Sequence, residues 1–115
     1  MGCLFCKLIG GELPAKVVYQ NEHVFCFDDI NPQAPTHVLV VPKEHHASLN
    51  ELAEKGEMAI LGKMYEAVME VAKIKGVDET GFRTVINNGP DGGQIIWHLH
   101  LHVIGGERLG DDMAG

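Results

Sequence analysis

The sequence predicts an α+β fold in which a five-stranded antiparallel sheet combines with one long helix and a short N-terminal helix. Five short segments are rich in β-branched and aromatic residues, and one longer segment repeats apolar residues at helical spacing. Short connections link the strand segments, as antiparallel pairing allows. With 115 residues, of which 45% are hydrophobic and 22% charged, the chain suits one packed domain, which we assign to residues 1–115.

The first half of the chain predicts the short helix and three strands. Residues 3–9 form a helical segment that Gly10 and Gly11 end. Residues 16–20 and Val24–Asp28 read as a hairpin, and residues 37–41 form a valine-rich strand before Pro42.

The second half predicts the long helix and the last two strands. Residues 57–75 are assigned to a helix that Gly76 ends. Its apolar residues recur at i, i+3, i+7 and i+10, namely Leu61, Met64, Val68 and Val71. Residues 83–87 read as a strand, residues 88–93 as a Gly/Pro/Asp turn, and residues 95–104 as a long final strand.

Charge and composition exclude several classes of function. The formal net charge is −7, and the calculated isoelectric point of about 5.4 argues against non-specific binding to nucleic acid or anionic membrane. No apolar run approaches the ~20 residues that a membrane span needs. The N-terminus lacks the features of a signal peptide, and three cysteines do not suggest a disulfide framework. We therefore expect a cytoplasmic protein.

A row of histidines in the last predicted strand is the strongest chemical signal. On a strand, His98, His100 and His102 share one face, while Leu99 and Leu101 point to the core. A solvated polar face, a catalytic zinc site and phosphate chemistry by imidazole are three interpretations of such a row.

The residues around the histidines favour phosphate chemistry. A glycine-rich turn at residues 87–94 precedes them and lets backbone N–H groups approach an anion, while Gln94 adds a neutral donor. Cys3 and Cys6 form a C-x-x-C pair, which suits a metal half-site or a redox pair, whereas Cys26 lies in an apolar stretch.

These motifs resemble the histidine triad (HIT) superfamily, and within it the Hint-like branch of nucleotide-binding hydrolases. The resemblance runs in order through nearly the whole chain and implies a HIT-like fold. The matching segments are residues 13–16, 29–37, 41–45, 91–94 and 98–106.

The resemblance implies an enzyme that cleaves purine nucleoside phosphoramidates or acyl-adenylates at the α-phosphorus. His100 is then the nucleophile that forms a nucleotidyl-histidine intermediate, and AMP is released. His102 and Gln94 would hold the non-bridging phosphate oxygens, and His37 would lie near the phosphate and leaving group. The catalytic set is His37, His98, His100 and His102.

The resemblance also implies nucleotide contacts and a structural zinc, with no organic cofactor. Asp29 would accept hydrogen bonds from the ribose, and Asn87 matches a polar residue of the family site. Apolar walls around the base would come from Leu4, Phe5, Leu8, Phe27, Ile30 and Leu39. The zinc ligands would be Cys3, Cys6, His45 and His98, with His46 as the alternative to His45.

Ile95 stands where many Hint-like enzymes have a serine that contacts the leaving group. Two other functions therefore stay open, namely hydrolysis of dinucleoside polyphosphates and nucleotide binding without catalysis. The expected partners are a purine nucleotide substrate and, because Hint-like proteins are homodimers, a second copy of the chain.

Overall fold

A five-stranded antiparallel sheet, ordered β1, β2, β3, β5, β4, forms the centre of the computed structural model, which describes residues 2–113. The predicted α+β fold class is confirmed. The elements are α1 (Leu4–Ile9), β1 (Val17–Gln20), β2 (Val24–Asp28), β3 (Thr36–Pro42), α2 (Leu49–Glu54), α3 (Ala59–Lys75), β4 (Phe82–Val85) and β5 (Leu101–Gly105).

The two faces of the sheet carry two separate apolar clusters. Alternate residues such as Val38 and Val103 point to α3, where Met64, Val68 and Val71 complete the main core. The opposite face is covered by α1, whose Phe5 packs with residues of β2 and β3. Because β3 has cover on both sides, it is buried along its whole length.

Helix α3 follows the predicted apolar pattern. Three of the four predicted apolar positions are fully buried, and the fourth, Leu61, packs against the same core. Gly76 ends the helix in the left-handed conformation, with φ 73°, and its N–H caps the last turn. Lys75 makes a 2.8 Å ion pair with Asp28 of β2, which ties this end to the sheet. Neither α3 nor any other helix within residues 2–113 is long and apolar enough to cross a membrane.

The last strand is shorter than predicted, because β5 begins at Leu101 and not at residue 95. Its ladder with β3 runs out near Pro42, which has no N–H to donate. The Pro42 carbonyl accepts a bond from the His98 ring, and the Leu99 N–H donates to the His46 carbonyl at 2.7 Å. Side-chain and loop contacts therefore replace strand pairing before Leu101.

Helix α2 is absent from the sequence-based assignment. Its signal is Ser48 followed three residues later by Glu51, the spacing of a capping box. In the structure the Ser48 side chain accepts a hydrogen bond from the Glu51 N–H at 3.3 Å. The helix has only six residues, too few to show an apolar period.

Candidate functional site

The three histidines of the C-terminal motif lie on the sheet face that α1 covers. Only His102 belongs to β5, while His98 and His100 precede it and are buried. The intervening leucines, Leu99 and Leu101, point to the α3 core. The alternation of side chains expected of a strand therefore also holds for the residues that precede β5.

His100 is held in a tautomer that leaves one ring nitrogen free. Its Nδ1 lies 2.8 Å from the His98 carbonyl, and since a carbonyl only accepts, Nδ1 carries the proton. Nε2 then has an unshared electron pair. The residue is 8% exposed, and burial lowers its pKa, opposed by the bond to the His98 carbonyl and by the charge of Asp29. His100 is therefore a neutral imidazole at pH 7, the form in which imidazole acts as a nucleophile.

A chain of hydrogen bonds also fixes His37 and His102. The Gln33 backbone N–H donates to His37 Nδ1 at 3.0 Å, so His37 carries its proton on Nε2. His37 Nε2 donates to His102 Nδ1 at 2.8 Å. Burial lowers the pKa of His102 to about 4, and repulsion between its protonated ring and the nearby His100 and His37 rings adds to the lowering. His102 is thus neutral and has its proton on Nε2, which is buried and has no hydrogen-bond partner within residues 2–113.

Asp29 lies beside this chain. Its Oδ2 is 3.4 Å from His37 Nε2, and its Oδ1 accepts a 2.8 Å hydrogen bond from the Asn31 N–H. The potential ligand atoms of Asp29, His37 and His102 lie within 4.8 Å of one another, a spacing that a metal ion would allow. However, the Gln33 N–H occupies the lone pair of His37 Nδ1 and keeps the proton on Nε2, so His37 has no free pair for a metal. These residues are a hydrogen-bonded chain.

A second cluster has the geometry of a metal centre. His98 Nδ1 lies 3.3 Å from Cys3 Sγ, 3.6 Å from Cys6 Sγ and 3.2 Å from His45 Nδ1, while Cys6 Sγ and His45 Nδ1 are 3.5 Å apart. A tetrahedral zinc site with Zn–N of about 2.05 Å and Zn–S of about 2.3 Å separates nitrogens by about 3.3 Å and sulfur from nitrogen by about 3.5 Å. The donor set and its spacing therefore fit a zinc ion.

The protonation of the cluster agrees with this fit. His98 Nε2 donates to the Pro42 carbonyl at 2.8 Å, which leaves Nδ1 unprotonated and facing the two sulfurs. Burial lowers the pKa of His98 to about 4, so the ring is neutral at pH 7. Burial and the neighbouring Cys3 raise the pKa of the Cys6 thiol, so a thiolate here needs a cation beside it. His46 lies outside the cluster, with its Nε2 2.9 Å from Glu44 Oε1.

The predicted nucleotide-binding residues fall into two groups. Phe5, Phe27 and Leu39 belong to one buried apolar cluster, against which Leu8 packs. Leu4 and Ile30 are exposed, Ile30 by 92% of its surface, and Asn87 is half-buried. The roles of all these residues in binding remain predictions.

Gln94 uses its whole amide group within the protein. Its Nε2 donates to the Ala47 carbonyl at 2.7 Å and to the Ile96 carbonyl at 3.1 Å, and its Oε1 accepts from the Gly89 N–H. To hold a phosphate oxygen, as predicted, the Gln94 side chain would have to give up one of these bonds. In the structure the Gln94 side chain connects the glycine-rich turn, at Gly89, to the segment after His45, at Ala47.

Two residues of the site region were missed by the sequence analysis. Asn88 accepts from the Leu49 N–H at 2.8 Å and so connects the turn to α2. A Cβ at Gly92 would lie 2.4 Å from the Asn88 carbonyl oxygen, so the turn closes only with glycine there. Gln33, the other missed residue, acts through its backbone N–H, for which a sequence holds no signal.

Comparison with known proteins identifies the family. The HIT domain family model matches residues 10–109. A purine nucleoside phosphoramidase of Escherichia coli K12 is 39% identical over 111 residues, which are 96% of this chain and 92% of the relative. A 14 kDa zinc-binding protein of Zea mays is 43% identical over 107 residues, 92% of this chain and 83% of that protein.

A solved histidine triad protein from Clostridium difficile superposes with a TM-score of 0.93 at 45% identity, covering 98% of this chain and 97% of the other. Fold, triad and near full-length matches agree with one another. The chain belongs to the HIT domain family and is a hydrolase of that family.

Proposed function

We propose that this protein hydrolyses purine nucleoside phosphoramidates or acyl-adenylates at the α-phosphorus and releases AMP. The observation that carries the proposal is the pairing of two neutral histidines with complementary nitrogens, the buried His100 and the half-buried His102. His100 offers an unshared pair at Nε2, and His102 offers an unpartnered N–H at its own Nε2. An attacking group and a donor for developing negative charge are the two components that phosphoryl or nucleotidyl transfer needs.

The reaction begins with attack of His100 Nε2 on the α-phosphorus. A nitrogen–phosphorus bond forms, the bond to the leaving amine breaks, and the departing nitrogen takes a proton from solvent. The His100 Nδ1–H stays bonded to the His98 carbonyl and stabilises the positive charge that the ring acquires. Water then attacks the phosphorus, the nitrogen–phosphorus bond breaks, and the attacking water loses a proton to solvent, so that AMP is released and the neutral imidazole is restored.

His102 stabilises the phosphate oxygens during both steps. Its Nε2–H is already desolvated and oriented, so little reorganisation is needed when charge develops on the oxygens. His37 acts beside it, because its own N–H fixes the His102 tautomer. His100 and His102 thus take their predicted roles through specific ring nitrogens, whereas His37, predicted to lie near the phosphate and leaving group, acts here through His102.

The nucleoside half of the substrate is proposed to lie between Asp29 and α1. Asp29 is a half-buried carboxylate next to His37, well placed to accept hydrogen bonds from a ribose. Phe5, Phe27 and Leu39 supply aromatic and aliphatic surface for the base. The choice of a purine and of a phosphoramidate is supported by the E. coli relative, which carries that activity in its name.

Ile95 favours a second candidate function, nucleotide binding without turnover. Its side chain is 86% exposed and has no hydroxyl to contact a leaving group. At so exposed a position the loss of one such hydrogen bond costs about 0.5–1.5 kcal/mol, which slows catalysis without abolishing it. We therefore place the hydrolase first.

We further propose that Cys3, Cys6, His45 and His98 hold one structural zinc ion. The proposal is supported by the close spacing of the four ligand atoms, all within 4.8 Å of one another, and by the maize relative, which is named as a zinc-binding protein. When bound, the ion would compensate the charge of the two thiolates. Metal analysis of the purified full-length protein is expected to give about one zinc per chain. Metal-free protein that takes up no zinc on dialysis would contradict this.

We also propose a cytoplasmic homodimer. Zinc-ligating thiols persist in a reducing compartment, and the structure leaves Cys3 and Cys6 as free thiols. The dimer is supported by exposed apolar residues on α3 and at its N-cap, including Tyr65, Met69 and Met58, and the Tyr65 hydroxyl lies 3.2 Å from Thr84 Oγ1 of the edge strand β4.

Replacing His100 by alanine tests the proposed reaction. With an adenosine phosphoramidate of an aromatic amine as substrate, we expect amine release to fall by on the order of a thousandfold or more. The affinity for AMP, measured by calorimetry, should change by less than about 1 kcal/mol, because the base and ribose contacts remain. His23→Ala, at an exposed histidine, is the matched control and should keep full activity.

Two outcomes would favour the alternatives. Tight AMP binding by a wild-type protein that releases no amine would support the binding module. Faster cleavage of a dinucleoside polyphosphate than of the phosphoramidate would show that the enzyme is a dinucleoside polyphosphate hydrolase.

A further inference from the structure

The candidate metal cluster and the candidate nucleophile share one residue. The His98 side chain faces Cys3, Cys6 and His45, while its backbone carbonyl accepts the hydrogen bond from His100 Nδ1. That hydrogen bond decides which nitrogen of His100 is free to attack. Any change in the position of His98 therefore acts directly on His100.

A second connection runs through α1. Phe5 lies between the two cysteines in the sequence, and it is the buried residue of α1. Its ring centroid is 5.1 Å from that of His100, with the planes at 80°, and 5.7 Å from that of His98, at 73°. These edge-to-face contacts hold both imidazoles and exclude water from one side of His100.

Helix α1 packs on the sheet through apolar side chains, and its polar attachment to the rest of the protein comes from the cysteines. Within the described residues, the polar contacts that join α1 to the histidine segment are made by the sulfurs of Cys3 and Cys6, whereas its backbone bonds stay within the N-terminal segment. A helix of six residues is not stable by itself. A metal ion bound to both sulfurs and to His45 and His98 would fix α1, and with it Phe5, against the nucleophile.

We propose that Cys3, Cys6 and His45 are positioning residues for His100, acting through the metal ion, through His98 and through Phe5. This inference rests on the proposed roles of His100 and of the zinc. It goes beyond a purely structural metal site, because it states that metal occupancy controls the tautomer and orientation of the nucleophile. A metal that only raised stability would leave both unchanged once the protein is folded.

The tautomer can be measured without any turnover. Full-length protein with ¹⁵N-labelled histidine is compared by long-range ¹H–¹⁵N NMR in the zinc-loaded and chelator-stripped states, with the His100 signals assigned by their loss in His100→Ala. We expect only the Nδ1–H form of His100 with zinc, and a mixture containing the Nε2–H form without it. Cys6→Ser should resemble the stripped protein, and Cys26→Ala, at a buried thiol outside the cluster, should resemble the loaded one.

Steady-state kinetics provide the second measurement. At a temperature where circular dichroism shows the stripped protein folded, kcat for the phosphoramidate should fall on the order of tenfold or more, because a small misplacement of a reacting group has effects of that size. Added zinc should restore both kcat and the single tautomer.

If the protein unfolds when zinc is removed, a pair of phenylalanine variants tests the role of Phe5 in the zinc-loaded protein. Phe5→Leu should keep its zinc but mix the His100 tautomers and lower kcat. Phe25→Leu removes a ring from the same apolar cluster, but this ring does not contact His98 or His100. The Phe25→Leu variant should therefore keep its zinc, the single His100 tautomer and the wild-type kcat. Equal effects of the two variants would overturn the proposal.

A folded, stripped protein with only the Nδ1–H tautomer would also overturn the proposal, as would a chain that binds no zinc. Absence of turnover in the zinc-loaded wild type would instead refute the proposed function, while the NMR result would still stand.

Discussion

Backbone groups assign the protons of the histidines in this site. The Pro42 carbonyl accepts a hydrogen bond from the His98 ring, and the His98 carbonyl accepts one from the His100 ring. The Gln33 N–H donates to the His37 ring and so determines its tautomer. The spacing of the histidines in the sequence predicted that they would share a face, but it could not predict which nitrogen of each ring is free. That choice depends on main-chain atoms brought near by the fold.

The depressed pKa of His102 predicts a loss of stability in acid. The pKa is about 4 in the folded protein and near the ordinary 6.5 in the unfolded chain. Below pH 6.5 His102 binds a proton in the unfolded chain, whereas in the folded protein it binds one only below about pH 4. The stability is therefore full above pH 6.5 and falls as the pH drops from 6.5 to 4, by up to about 1.4 kcal/mol per pH unit for this group.

Urea unfolding at pH 7 and pH 5 measures this effect in wild type and in His102→Asn. The variant lacks the titrating group, so it should lose less stability than wild type between the two pH values, by up to about 2 kcal/mol for the 1.5 pH units below pH 6.5. His23→Asn, at an exposed histidine, should follow wild type. Parallel losses in wild type and His102→Asn would show that His102 keeps an ordinary pKa.

At the scale of elements, the sequence predicted the helices and strands whose signal lies within their own residues. The apolar period of α3 and the valine-rich β3 are seen near their predicted positions. The final strand was predicted too long because its alternation of apolar and polar residues continues where pairing has stopped. Alternation reports which face a side chain occupies, whereas pairing depends on a neighbouring strand that a sequence does not show.

The cap of α2 is testable by replacing Ser48 with alanine. The variant loses the side-chain oxygen that accepts from the Glu51 N–H, which should cost about 1 kcal/mol of stability in urea unfolding. Ser48→Thr keeps a capping oxygen and should recover most of the loss. Glu54→Ala, exposed at the other end of the helix, is the control for a change in α2 itself. An unchanged urea midpoint in Ser48→Ala would mean that the cap contributes nothing.

At the scale of the whole molecule, the sheet separates two tasks. One face packs on α3 and supplies most of the core, while the other face carries the histidines, the candidate metal cluster and α1. The two apolar faces were predictable from residue alternation. The C-x-x-C spacing indicated a metal half-site or a redox pair, but the ligands come from three distant segments, and only the family resemblance indicated His45 and His98.

The outer surface of α3 predicts how two copies of the chain associate. Met58, Tyr65 and Met69 are exposed at i, i+7 and i+11, and the Tyr65 hydroxyl is 3.2 Å from Thr84 Oγ1 on the edge strand β4. A two-fold interface there would bury each residue twice. Sedimentation is expected to give a mass twice the 12.6 kDa of the chain.

Replacing Met69 by glutamate tests this interface. The new charge would enter the interface in both copies, and we expect the dissociation constant to rise on the order of a hundredfold, with monomer appearing in sedimentation at micromolar concentration. Lys63→Glu adds a carboxylate at an exposed position of α3 on a different side of the helix, and it should leave the dimer intact. The interface would be located elsewhere if Met69→Glu stayed dimeric, and a wild-type protein that sedimented as a monomer at every concentration would refute the dimer itself. Because the histidines lie on the opposite face of the sheet from the α3 core, the Met69→Glu monomer should keep its candidate zinc site.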